Sequence, residues 1–199
     1  VGAVESLAPI SPDYLSWDLW IGRLAHILSG EPHLPGMTGI RAWYAMLLLC
    51  LYREPGHLLT AAAARHLADR MDEVPRTSSY WVRMLAILLA YAHFHADEPL
   101  AERVLPHLEP LATQPSVAPF PRTWATVWLA VYHYFLGHHD TALRWSTMAR
   151  DTAASYGFRL LHAPMSCFRI QSLAWLGHTR EAFEDIARLR PEIDGDHPY

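Results

Sequence analysis

A repeat of about 40 residues constrains this sequence more than any other feature. Four predicted turns lie 40, 41 and 40 residues apart and centre on Gly56, Ala96, Gly137 and Gly177. An alanine follows each turn by five residues, at Ala61, Ala101, Ala142 and Ala182. Seven residues further come Ala68, Leu108, Ala149 and Leu189. Small residues let antiparallel helices approach closely and let the chain turn tightly between them, so this period predicts a stack of helical hairpins.

Residues 122–157 show the repeating unit most clearly. Apolar residues spaced three and four apart predict one buried helix face, made of Trp124, Val127, Trp128, Val131, Tyr132 and Phe135. Gly137 ends this helix, Asp140 can cap the next, and Gly157 ends that one. The predicted fold is therefore all-α, a right-handed α-solenoid of antiparallel helix hairpins.

The same pattern assigns the rest of the chain to one helical-repeat domain over residues 1–199. The predicted hairpins occupy residues 38–75, 77–113, 120–157 and 160–190, and an unpaired helix precedes them at 11–30. The buried face predicted for that first helix comprises Leu15, Leu19, Ile21, Leu24, Ala25 and Leu28. Pro106 and Pro110 predict a kink or a break in the helix that contains them. Because the chain opens without Met and its first helix has no partner, we expect a fragment of a larger protein.

Composition excludes several classes of function. The net charge of −4 gives no excess of positive charge for binding phosphates, so we expect no nucleic-acid contact. All 16 basic residues are arginine, which excludes Schiff-base chemistry and a P-loop lysine. The longest apolar run, from Trp43 to Tyr52, is half of what a bilayer needs, so we expect no membrane span. Cys50 and Cys167 lie in apolar helical patterns, which suggests reduced thiols and a cytoplasmic location.

The segments LGHHDTALRWSTMA and LGHTREAFEDIARL carry a turn glycine, a small residue five positions later and another seven further on. They resemble the tetratricopeptide repeat (TPR), although the period here exceeds the usual length of about 34 residues. Longer units with a segment such as SYGFRLLHA between hairpins resemble the helical-repeat region of MalT-like, LuxR-type ATP-binding transcription regulators. The resemblance implies a bacterial signalling or transcription regulator in which this region binds a protein or peptide partner, or a small effector.

In the TPR family the first helix of each unit lines a concave binding face. The resemblance places six candidate ligand- or peptide-binding residues on that face: Arg53, Arg83, His93, Trp124, Tyr134 and Gln171. Arg53, Arg83 and His93 would hold a carboxylate or a phosphate by charge-assisted hydrogen bonds. Trp124 and Tyr134 would form a flat apolar wall. The alternative is that the arginines extend to solvent and the aromatic rings pack between helices.

The sequence contains no catalytic or metal-binding motif. No two of the 13 histidines are three or four residues apart, the spacing with which one helix presents a pair to one ion. Glu181 and Asp185 form an acidic pair near a predicted helix start, where negative charge interacts favourably with the helix dipole. We therefore expect no enzyme activity, cofactor or metal. Two alternatives stay open: an assembly scaffold that forms homodimers through Trp17 and Trp20 at its first helix, and a metal-dependent helical enzyme.

Overall fold

The computed structural model describes residues 15–30 and 34–194, and within these ranges the fold is all-α with no strand. One short 3₁₀ turn, Met71–Glu73, separates two of the helices. In chain order the α-helices are α1 (Leu15–Gly30), α2 (Gly36–Arg53), α3 (Leu59–Asp69), α4 (Ser79–His95), α5 (Glu98–Thr113), α6 (Pro119–Phe135), α7 (His139–Tyr156), α8 (Arg159–Trp175) and α9 (Thr179–Asp194). The predicted all-α class is confirmed.

The chain forms two compact units, Val1–Val104 and Leu105–Tyr199, and the boundary falls within α5. In the first unit α2 packs against α1, α3 and α4, and almost every residue from Gly39 to Leu51 is buried. In the second unit α7 packs against α6 and α8, α9 packs against α8, and α6 also contacts α8. Within each unit, therefore, the first helix of one hairpin contacts the first helix of the next. The right-handed solenoid and the TPR-like arrangement remain predictions.

Three of the four predicted turns share one backbone geometry. Ala96, Gly137 and Gly177 have positive φ angles of 51°, 78° and 80°. In each case the next amide donates to the carbonyl five residues back, with N–O distances of 2.9 Å, from Asp97 to Ala92, from His138 to His133 and from His178 to Leu173. These bonds occupy carbonyls that a helix end leaves unsatisfied. The 40-residue period thus reflects one helix-ending structure used three times.

The small residues after the turns lie in the core, as the period predicts. Ala101, Ala142 and Ala182 are buried five residues after their turns. All four residues at the second predicted position are buried as well, namely Ala68, Leu108, Ala149 and Leu189. Ala61 is exposed instead, and Gly56 is not among the glycines with positive φ. The turn geometry and the first alanine position therefore hold for three units and fail in the first, whereas the second position holds in all four.

Several predictions about individual helices are wrong. Asp140 does not cap α7, because the helix begins at His139, its N-cap residue is His138, and no side chain caps it. Leu19 is 55% exposed, because α1 buries Trp17, Ile21, Leu24 and Leu28. Those positions form a single helix face at intervals of three and four residues, and Leu19 lies on the opposite side. For the helix that contains Pro106 and Pro110 the prediction is a kink or a break, and the break does not occur, since α5 continues from Glu98 to Thr113. Of the other residues predicted to be buried, Ala25 is half-buried and the side chain of Leu15 lies outside the described part of the chain.

A buried aspartate connects three helices of the second unit. Asp185 of α9 is 6% exposed and forms ion pairs with Arg169 of α8, with Arg188 of α9 and with Arg150 of α7. The N–O distances are 3.0 Å to Arg188 and 3.6 Å to Arg150. Arg169 also donates from Nε to the Thr147 hydroxyl at 3.1 Å. A buried carboxylate requires such compensation, so this cluster fixes α7, α8 and α9 together.

Both cysteines are free thiols, with Cys50 buried and Cys167 half-buried. Burial raises the pKa of the Cys50 thiol to about 11. A thiol with so high a pKa carries almost no thiolate at neutral pH and is a poor nucleophile. Among the described residues no helix is long and apolar enough to cross a membrane.

Candidate functional site

In the first unit, each of the three predicted anion-binding residues contacts other side chains. Arg53 donates from Nε and Nη2 to the two carboxylate oxygens of Asp18, at 2.7 and 2.8 Å. This bidentate pair joins α2 to α1 and lowers the pKa of Asp18. Arg83 is half-buried, with its guanidinium 5.4 Å from the centroid of the Tyr44 ring. His93 is half-buried, and its burial lowers its pKa. Arg53 thus already binds a carboxylate of its own chain.

In the second unit, Trp124 and Gln171 lie in contrasting environments. Trp124 is 5% exposed. Its ring centroid is 6.2 Å from that of Phe120, in a stacked arrangement, and 6.3 Å from that of Trp128, edge to face. The indole therefore belongs to the core of this unit and not to an open wall. Gln171 is exposed on α8 and is accessible to a partner.

Tyr134 belongs to a cluster of rings that we call the aromatic surface, formed by Tyr134, Phe135, His139, Phe168 and Trp175. The ring centroids of Tyr134 and Phe168 are 5.2 Å apart, and those of Tyr134 and His139 are 5.4 Å apart, both edge to face. His139 stacks on Trp175 at 5.3 Å with an interplanar angle of 2°. Phe135 and Phe168 are 6.3 Å apart. These contacts link the end of α6, the start of α7 and one face of α8.

The turn geometry explains why these rings lie together. Gly137 and Gly177 have the same left-handed conformation, and the helix before each glycine ends two residues earlier at an aromatic ring, Phe135 in α6 and Trp175 in α8. Phe168 and Trp175 are seven residues apart on α8 and therefore share a helix face. The aromatic surface is thus built on helix ends whose backbone hydrogen bonds are satisfied, and the rings are held in place before any partner binds.

The aromatic surface is open to solvent. Phe135 is 62% exposed and Trp175 is 69% exposed. With side chains of about 150–250 Å² each, these two rings present on the order of 250 Å² of apolar area. The neighbouring Leu136, 49% exposed, extends the patch. The largest apolar patch on a typical soluble monomer covers about 300–600 Å² and is often functional, and this surface approaches that size.

The sequence analysis singled out only Tyr134 of this surface, and its prediction that Phe135 lies on a buried helix face is wrong. A signal was present, because the position two residues before the turn is aromatic in three units. These residues are Phe94, Phe135 and Trp175, and they are 52%, 62% and 69% exposed. The last residue of a helix can face solvent even where the apolar residues of the preceding turns are buried. Gln171 lies on α8 between Phe168 and Trp175, three and four residues away from them.

Within the described ranges, no group of three or more histidine, cysteine, aspartate or glutamate side chains is arranged to hold a metal ion. No protein-family model, curated protein or solved structure matches this chain. The resemblance to TPR-containing and MalT-like regulators is therefore carried by the repeat period and its turn residues alone.

Proposed function

We propose that this chain is a TPR-like interaction module of a larger cytoplasmic signalling or transcription regulator, and that it binds a protein or peptide partner through the aromatic surface. The observation that carries the proposal is the exposure of Phe135 and Trp175 on fixed helix ends. Apolar rings of this size are costly to leave in water and dominate binding energy where a partner covers them.

The chemistry of the surface indicates the kind of partner. Its apolar rings are accompanied by the Tyr134 hydroxyl, the Gln171 amide and the Trp175 indole, which are neutral hydrogen-bonding groups. A partner segment with apolar side chains and free backbone carbonyls would cover the rings and accept hydrogen bonds from these donors. Because the rings are preordered, binding loses little side-chain entropy on this side of the interface. Burying about 250 Å² of ring area gives a gross gain of about 6 kcal/mol.

The experiment is a selection of displayed random peptides on the full chain, followed by affinity measurements with the enriched peptides. We expect Phe135→Ser and Trp175→Ser each to weaken binding at least about tenfold, which is typical of a central aromatic contact. Leu58→Ser is the matched control, because Leu58 is apolar and 93% exposed but lies in the first unit. Enriched peptides that bind both serine variants as tightly as the parent chain would rule out the aromatic surface as the binding site.

The outer face of α1 favours a second function, assembly into homo-oligomers. A groove of about 570 Å³ runs along this helix, and Leu19 and Ile27 are 55% and 49% exposed beside it. Trp17 of the predicted assembly surface is 4% exposed and packs inward, whereas Trp20 is half-buried. If this face joins two copies, the mass measured by light scattering will increase with concentration, and Ile27→Asp will abolish the increase. A constant monomer mass would exclude this function.

A further inference from the structure

A groove of about 350 Å³ lies between α5 and α7 in the second unit. Its volume is within the range of pockets that bind small molecules. The residues that line it are Pro106, Glu109, Pro110, Thr113, Arg144, Trp145 and Met148. The first four belong to α5 and the last three to α7. Helix α7 offers hydrogen-bond donors and α5 offers acceptors, and this difference determines which charged groups a ligand would need.

The α7 side of the groove supplies donors. The Arg144 guanidinium lies 4.8 Å from the centroid of the Trp145 ring, and this is a cation–π contact rather than an ion pair. Arg144 forms no ion pair with any carboxylate in the described part of the chain. The Trp145 side chain is 2% exposed, and its indole N–H has no hydrogen-bond partner there. A buried N–H without an acceptor is destabilising, so an acceptor that reached it would bind favourably.

The α5 side of the groove supplies acceptors. The Glu109 carboxylate is 42% exposed. It contacts one basic side chain in the described part of the chain, His133, with 3.5 Å between Glu109 Oε1 and His133 Nε2. Burial lowers the pKa of His133, although the nearby Glu109 opposes this shift, so the contact is weaker than an ion pair with an arginine. Pro110 has no N–H, which deprives the Pro106 carbonyl of its regular helical donor. Glu109 and Arg144 do not form an ion pair with each other.

A negative charge and a positive charge therefore border one groove without neutralising each other, and apolar side chains lie between them. We propose that this groove binds a small zwitterion with an apolar body. The ammonium group pairs with Glu109, the carboxylate pairs with Arg144, and the apolar part packs on Pro106, Pro110 and Met148. Free apolar amino acids and short apolar peptides share this chemistry. The proposal is independent of the aromatic surface and of the function assigned to it.

Titration calorimetry of the full chain tests the proposal with L-leucine, L-methionine and the dipeptide Leu-Leu as probes. At least one should give saturable binding below about 10 mM, since two charge-assisted contacts and an apolar body contribute together. If only Leu-Leu binds, the ligand is a peptide, and if the amino acids bind, it is a free amino acid. Leucinamide lacks the carboxylate and 4-methylpentanoate lacks the ammonium, so both should bind at least about tenfold more weakly.

Four variants locate the site. Arg144→Gln and Glu109→Gln should each weaken zwitterion binding at least about tenfold, while the far-UV circular dichroism stays unchanged because both side chains reach solvent. Arg159→Gln and Glu102→Gln are the matched controls, since both residues are exposed and lie outside the groove. The proposal is overturned if no zwitterion gives saturable binding, if the half-ligands bind equally well, or if the groove variants bind like the parent chain.

Trp175→Ser separates this proposal from partner binding at the aromatic surface. Trp175 does not line the groove, so this variant should retain zwitterion affinity whether or not it loses peptide partners. A loss of zwitterion affinity in Trp175→Ser that matches the loss in Arg144→Gln would place the ligand on the aromatic surface and overturn the groove assignment.

Discussion

Asp185 is the residue at which a single change should most strongly test the packing of the second unit. The carboxylate is 6% exposed and pairs with three arginines from α7, α8 and α9. Removing one partner of a buried ion pair typically destabilises a protein by about 3–5 kcal/mol. The three arginine side chains are 22%, 16% and 71% exposed, so water can solvate part of their charge. We therefore expect Asp185→Ala to lower the free energy of unfolding by about 2–4 kcal/mol.

Asp185→Asn provides a milder version of the same test. The amide preserves the shape of the side chain and one acceptor but removes the negative charge, so we expect a loss of about 1–2 kcal/mol. Glu184→Gln is the matched control on the same helix. Glu184 is 52% exposed and lies 3.9 Å from Arg180 and 3.7 Å from Arg188. Exposed pairs with such distances contribute about 0–1 kcal/mol.

The assay is urea denaturation followed by circular dichroism and tryptophan fluorescence, with two transitions allowed in the fit because the chain has two compact units. With a slope of about 2 kcal/mol per molar urea, the midpoint of the second unit should fall by about 1–2 M in Asp185→Ala. If Asp185→Ala unfolds no more easily than Glu184→Gln, the carboxylate does not compensate the arginines, and the reasoning about the cluster is refuted.

Three further changes test local features. Ala96→Gly should raise the free energy of unfolding by about 0.5–1 kcal/mol. An L-residue at φ 51° is strained, and relief of this strain outweighs the additional conformational entropy that glycine gives the unfolded chain. An unchanged urea midpoint would contradict this. Burial lowers the pKa of His93 below 6.5, which favours the neutral imidazole in the folded chain. The stability that neutral His93 provides is therefore present above pH 6.5 and is lost as the pH falls from 6.5 through the pKa of His93 in the folded state. The melting temperature of His93→Gln should therefore fall less on acidification than that of the parent chain or of the exposed control His26→Gln. Asp18→Asn should leave the urea midpoint nearly unchanged, because the pair that Asp18 forms with Arg53 is exposed; a large shift would show that the pair is essential.

The sequence predicted the helices and most turns because both depend on local chemistry. Glycine or alanine in a left-handed conformation ends a helix wherever it occurs, and small residues pack where helices cross. The first turn failed because Pro55-Gly56 uses a different connection. There the His57 amide bonds to Glu54 and the Thr60 amide bonds to His57, so that α3 begins only at Leu59. Ala61 is therefore exposed near the start of α3, whereas Ala64 and Ala68 are buried like the corresponding residues of the other units.

The candidate sites were less predictable because they depend on which side chains meet across helices. Asp18 and Arg53 are 35 residues apart, and no periodic pattern marks them as partners. The groove combines Glu109 with Arg144, which occupy different positions within their repeats. Among the six residues predicted from the TPR resemblance, Tyr134 belongs to the aromatic surface. Gln171 lies on α8 between Phe168 and Trp175, which are two members of that surface. The resemblance thus selected two residues in or beside the aromatic surface but not the rings that are most exposed.

One repeat position shows how the period and the special sites are related. The residue eight positions after each turn is buried in every unit, with exposures of 1%, 0%, 2% and 6% for Ala64, Val104, Trp145 and Asp185. Ala64 and Val104 are the small apolar residues that close helix packing favours. Trp145 is far larger, and part of its indole forms a wall of the groove between α5 and α7. Asp185 carries a charge, and three arginines from α7, α8 and α9 surround it. Because the side chain at this repeat position is buried in every unit, the surrounding residues must make room for a large side chain there or compensate a charged one. The groove and the ion-pair cluster of the second unit thus lie at the two units in which this position departs from a small apolar residue.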